Sequence, residues 1–169
     1  MGYVHDTHMS QFIPPKAIAK SAGTWTPTIA SSLISDIRGA TDATFELFIP
    51  IELPSNASDL KGCLLKSIDV WYRISTAAAD DVATVELEKI TLKANGTIPA
   101  GEAVSVTLDV DNDTAAERKA SAYHKMTVTL DTPVWIDNDE AFVLYILVDA
   151  AATTVFTLYG ARANYTLRM

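Results

Sequence analysis

From residue 43 onward the apolar residues of this chain recur at every second position, in short runs separated by turn residues, and no helical period persists for twelve residues. A period of two marks a strand with one face buried, because successive side chains on a strand point to opposite sides. Phe45, Leu47, Ile49, Ile51 and Leu53 alternate with Glu46 and Glu52, and Pro50 within the run suits a sheet edge or a bulge. Ile68, Val70, Tyr72 and Ile74 alternate with Asp69, Trp71 and Arg73. Residues 82–93 are long enough for one bent strand, and their apolar phase flips from Val85 and Leu87 to Ile90 and Leu92, as a β-bulge would produce. A turn follows at Asn95-Gly96.

Val104, Val106, Leu108 and Val110 resume the alternation, and a polar connection covers residues 111–122. Met126, Val128 and Leu130 continue it, Thr132-Pro133 interrupts, and Val134 and Ile136 lead to a turn at Asp137-Asn138-Asp139. Residues 142–148 are apolar on both faces, which suits a central strand. Residues 155–159 and 165–169 close the chain. About eight short strands with long, unequal connections predict an all-β fold, an eight-stranded antiparallel β-sandwich of the jelly-roll kind, over residues 41–169.

The first forty residues read differently. Pro14, Pro15 and Pro27 stand among Ser, Thr and Ala with weak periodicity. Residues 1–23 predict an extended arm, a short strand fits residues 25–29, and residues 30–38 fit either a short helix or another extended piece. The division expected is an N-terminal arm, 1–40, and a sandwich domain, 41–169. Such an arm is either mobile or lies on a neighbouring subunit, and its removal is expected to leave the sandwich folded.

A chain of 169 residues buries enough surface to fold without a disulfide or metal. Its net charge of −8 disfavours nucleic acid and anionic membranes as partners. The single cysteine, Cys63, lies in the apolar run Cys63-Leu64-Leu65 and reads as a small buried hydrophobe. The opening residues lack the basic and apolar regions of a secretory leader, so a protein made in a cytoplasm is expected, one that leaves it only by lysis or inside an assembly. The sequons at Asn56, Asn95, Asn112 and Asn164 then read as turn and strand chemistry.

No nucleophile elbow, zinc-protease helix, phosphate loop or dinucleotide fingerprint occurs, and the expectation is a protein without catalysis, cofactor or metal. Asp109-Val110-Asp111-Asn112-Asp113 resembles the start of a calcium loop, but Thr114 and Ala120 stand where that loop needs glycine and glutamate. It reads as a solvated acidic loop. His5, His8 and His124 are too scattered for a zinc site. Trp71 and Trp135 occupy the polar phase of their strands, where they fit a subunit interface, a ligand platform, or a sheet covered on both faces. The candidate interface residues are Phe12, Ile13, Pro14, Pro15 and Trp25 of the arm with Trp71 and Trp135.

The block from Phe45 to Pro54, Phe-Glu-Leu-Phe-Ile-Pro-Ile-Glu-Leu-Pro, and that from Leu65 to Ile74, Leu-Lys-Ser-Ile-Asp-Val-Trp-Tyr-Arg-Ile, resemble small virion proteins of tailed bacteriophages. These are capsid decoration (cement) proteins and related jelly-roll head or fibre proteins. The resemblance implies a viral structural protein located in the virion, a homotrimer on the major capsid protein or another virion protein. The alternative from another class is a carbohydrate-binding or adhesin-type sandwich, with Trp71, Trp135 and a calcium ion at residues 109–113.

Overall fold

The computed structural model describes residues 6–30, 33–54, 62–97 and 100–168. His5 and the sequon at Asn56 lie outside them. Two antiparallel sheets pack face to face as a jelly-roll-like sandwich. The strands are β1 (Asp6–Ile13), β2 (Ala19–Lys20), β3 (Trp25–Ala30), β4 (Leu33–Arg38), β5 (Ala43–Ile51), β6 (Cys63–Ser75), β7 (Asp81–Thr91), β8 (Glu102–Val104), β9 (Val106–Leu108), β10 (Tyr123–Ile136), β11 (Glu140–Ala150) and β12 (Val155–Arg168), with a 3-10 turn at Pro15–Ala17 and a turn of α-helix, α1 (Ala115–Arg118). The seven-stranded sheet runs β3-β4-β12-β6-β10-β9, with β1 also on β12; the five-stranded sheet runs β2-β5-β11-β7-β8.

From β5 to β7, and again from β10 to β12, each strand crosses to the opposite sheet. The alternating residues therefore meet in one core between the sheets. Phe45, Leu47 and Ile49 of β5, Ile68 and Val70 of β6, Met126 and Val128 of β10, and Leu144 and Val148 of β11 are buried there. Cys63 is buried as expected, and burial pushes its thiol up to about 12. Pro50 lies past the two residues of β5 that β2 covers, on a sheet edge where a missing donor breaks no ladder bond.

The alternation misleads in three places. The run from Val104 to Leu108 is two strands, not one: β8 pairs with β7 in one sheet and β9 with β10 in the other. The phase flip in β7 is not a bulge between Leu87 and Ile90, because the register from Thr84 to Thr91 is unbroken; Ile90 turns outward, and Lys89 sits on the inner phase at the sandwich's end, paired with Glu102 and Glu140. The segment at 155–159 and the described part of that at 165–169 belong to the single strand β12.

The larger correction concerns residues 1–40. Residues 6–13 pair along the whole second half of β12, Ile13 and Ile18 are buried in the core, and β3 and β4 form a hairpin on the same sheet. The described part of this segment is integral to the sandwich. Its prolines and small polar residues suit sheet edges and connections as well as they suit a free arm. The helix-or-extended ambiguity of residues 30–38 resolves as strand from Leu33 to Arg38.

Candidate functional site

The outer face of the seven-stranded sheet is built by β1, β12, β6 and β10, and their register sets its rows. Tyr123 faces Arg73. Lys125 faces Trp71, which faces Gly160. Thr127 faces Asp69, which faces Arg162, which faces Phe12; Ser67 faces Asn164, which faces Ser10. The alternation of β12 would place Arg162 and Asn164 in the core, since Phe156 and Leu158 are buried. A register shift between Leu158 and Gly160 reverses the phase, so that Ala161 and Ala163 turn in and the polar pair turns out. Gly160 is required there: its φ is +121°, and a Cβ would stand 2.7 Å from the Ile13 carbonyl oxygen and 2.9 Å from Phe12 Cζ.

Asp69 holds the centre of this face. Its side chain is 4% exposed, yet its oxygens accept hydrogen bonds from Arg162 Nη2 (2.8 Å), Asn164 Nδ2 (3.0 Å) and Thr127 Oγ1 (2.7 Å), with Lys125 Nζ at 3.5 Å. Burial alone would raise this carboxyl, but the hydrogen bonds from Asn164, Arg162 and Thr127 and the charge of Lys125 outweigh it and hold the group below the ordinary carboxylate range. It stays ionised as an anchor. Fixed by it, the Arg162 guanidinium lies 5.2 Å from the Trp71 ring centre, and Arg73 lies 4.6 Å from that of Tyr123. Phe12 and Tyr123 are exposed, and Trp71 is half-buried.

Two shallow depressions flank the rows. One, of about 330 Å³, is lined by His8, Met9, Ser10, Lys66, Arg162, Asn164 and Tyr165. The other, of about 390 Å³, lies between Tyr123, Lys125, Thr127 and the acidic loop at Asp109 and Asp111. The arrangement offers aromatic faces beside fixed donors and acceptors on rigid strands, suited to a polar ligand with apolar edges.

The calcium-like loop is occupied by the protein's own groups. Asp109 accepts from the Asn112 side chain at 2.8 Å and from the backbone N–H groups of Asp111 and Thr127. Arg118, buried at the end of α1, fills the cation's role toward the loop carbonyls. Its Nη1 donates to Asn112 and Asp113 (2.9 Å each), its Nε to Val82 (2.8 Å) and its Nη2 to Ala83 (3.3 Å). Among the described residues no group of three His, Cys, Asp or Glu side chains is placed to hold a metal ion. His8 and His124 are separated by β12 and β6, and His124 stacks on Tyr72 at 4.6 Å.

The candidate interface residues scatter. Ile13 and Pro15 are buried within this chain and offer no surface. Pro14 is half-buried, and Trp25 packs edge-on against Phe45 and Phe156. Trp71, Phe12 and Trp135 share the outer face, but Trp135 pairs with Leu64, seven positions along β6 from Trp71 and so roughly 20 Å away. The two tryptophans do not make one platform. Arg162, Asn164, Lys66, Tyr123 and Asp69, which build the site, carry no motif; only cross-strand register unites them.

No protein-family model matches the chain, and no curated protein matches it. Solved structures similar to it include the xylan-binding module CBM15 (12% identity, TM-score 0.43, covering 94% of this chain and 97% of that one). Others are TmCBM61 in complex with β-1,4-galactotriose (10%, 0.37, 92% and 86%) and the conserved carbohydrate esterase of the Shiga toxin-encoding bacteriophage phi24B (9%, 0.37, 96% and 99%).

Proposed function

We propose that this chain is a non-catalytic binding module that takes a glycan across the outer face of its seven-stranded sheet. The observation that carries this reading is the stack of Arg162 on Trp71, locked by Asp69 and bordered by Phe12 and Tyr123. A sugar ring presents C–H bonds to an aromatic face and hydroxyls to its sides. Asn164, Ser67, Thr127 and Lys125 supply donors and acceptors at those sides without rearrangement. The face is open, which suits holding a polymer more than enclosing a reacting bond. Trp71→Ala should weaken retention on a polysaccharide matrix by up to about tenfold, from the ~0.5–1.5 kcal/mol that stacking on such a ring contributes. Affinity electrophoresis of the two proteins measures it, and equal migration would remove the platform.

A second reading, a structural subunit of a virion that self-associates as a trimer, is favoured by the β3–β4 hairpin. β12 pairs with β4 only from Asp36 to Arg38, and beyond that the hairpin carries Ile29 opposite Ile34, 80% and 50% exposed. Two adjacent exposed isoleucines suit burial against another subunit. On this reading Ile29→Ser with Ile34→Ser converts an oligomer into a monomer by light scattering. A wild-type chain that is already monomeric would count against it.

A further inference from the structure

We infer that the ligand is an anionic saccharide, whose carboxylate or sulfate sits in the depression between Lys66 and Arg162. This inference rests on the glycan-binding reading above. The chain carries 21 acidic and 13 basic side chains, yet the outer face of β12 and β6 carries Lys66, Arg73 and Arg162 against one carboxylate, Asp69, with Asp6 at the far end of β1. The Asp69 carboxylate is almost wholly buried and spent on its own partners. The lining of the depression holds two cations, His8, and the neutral polar groups of Ser10 and Asn164, with no acid.

The strand geometry brings this about. Lys66 has no ladder partner on either neighbouring strand: the register on β12 passes from Ser67 to Leu65, and so does that on β10. A residue left over in this way is re-aimed by its bulge. Among the described residues Lys66 is in no ion pair, and Arg162 commits Nε and Nη2 to Asp69 and leaves Nη1 uncommitted. An ammonium and a planar guanidinium lining one depression fit a carboxylate or sulfate and gain nothing from a neutral hydroxyl that a single donor would not give. The opposite face of the sandwich has the reverse charge. There Glu46 accepts from Tyr145 at 3.0 Å, and Glu86 and Glu88 lie on the same face of β7 and β11. A polyanion is thus disfavoured on that opposite face.

The test immobilises hyaluronate, polygalacturonate and chondroitin sulfate, each beside its carboxyl-reduced form and, for the last, its desulfated form. The full chain is passed over each at 50 and 300 mM NaCl. Retention by at least one acidic polymer, about tenfold weaker on its neutralised form and weaker at high salt, is expected. Lys66→Ala should lose about tenfold on the acidic polymer, and Lys66→Arg should restore it. The carboxyl-reduced and desulfated arms tell which anion is read. Equal binding of charged and neutral forms, with Trp71→Ala still weakening both, overturns the charge inference and leaves the platform. Absence of retention on every polymer overturns both.

Discussion

Removal of residues 2–23 leaves a chain that does not reach a stable fold. Eight residues of β1 lie in register on β12, and the deletion leaves residues 161–168 as an open edge. It also removes Ile13 and Ile18 from the core, each worth about 1.5–3 kcal/mol of burial. With the lost ladder, the sum reaches or exceeds ~5 kcal/mol, comparable to the whole stability of an ordinary domain. The expected result is insoluble expression, or a melting temperature lowered by about 15 °C or more for a chain of this size. Circular dichroism of the two chains decides it, and a truncated chain melting within about 5 °C of the full one would show that β1 is dispensable. The same experiment warns against reading loss of assembly in such a deletion as loss of a docking arm.

Arg118→Ala costs about 3 kcal/mol, the order expected when buried carbonyl acceptors lose a charged donor. Four carbonyl oxygens, those of Val82, Ala83, Asn112 and Asp113, lose their donor together. Leaving such groups buried and unpaired is what makes the loss large. The loop 109–114 and the start of β7 come apart with it, and the Tyr72 hydroxyl, which donates to the Arg118 carbonyl at 2.9 Å, loses a fixed partner. Urea denaturation should show a lower midpoint with an unchanged slope. Arg118→Lys should recover little, because a single ammonium does not reach carbonyls on two sides of a planar fork. The wild-type melting temperature should not respond to CaCl₂ or to a chelator; calcium-dependent stabilisation would mean that the loop holds an ion as well as the arginine.

The sandwich was legible because period two and burial are two views of one fact. In β5 and β11, and in β6 from Ile68 onward, the residues of one phase are the residues of the core. The eight strands from Ala43 onward also agree in number with the alternation, although Ser105 divides one expected strand and β10 and β12 each join two. What alternation does not encode is which strand lies beside which. β1 looked like an arm because its apolar content is low, and it is low because the strand is an edge whose outer residues meet solvent. The binding face was illegible for the same reason. Trp71 stood out as an aromatic in a polar phase, but its neighbours Arg162 and Asn164 lie over ninety residues away and are turned outward only by the shift at Gly160. The calcium-like spacing at Asp109 was a true loop signal. Its meaning depended on Arg118, nine residues on, folding back under it.

The pairing of β1 with β12 also has a consequence for synthesis. β12 lies between β6 on one side and β4 and β1 on the other, so the larger sheet cannot assemble around it until residue 168 has left the ribosome. Until then β1 waits with its partner unmade, and β6 and β4 expose edges to other nascent chains. Folding of this sandwich therefore waits on its last strand, its rate set by closure of the long loop from β1 to β12.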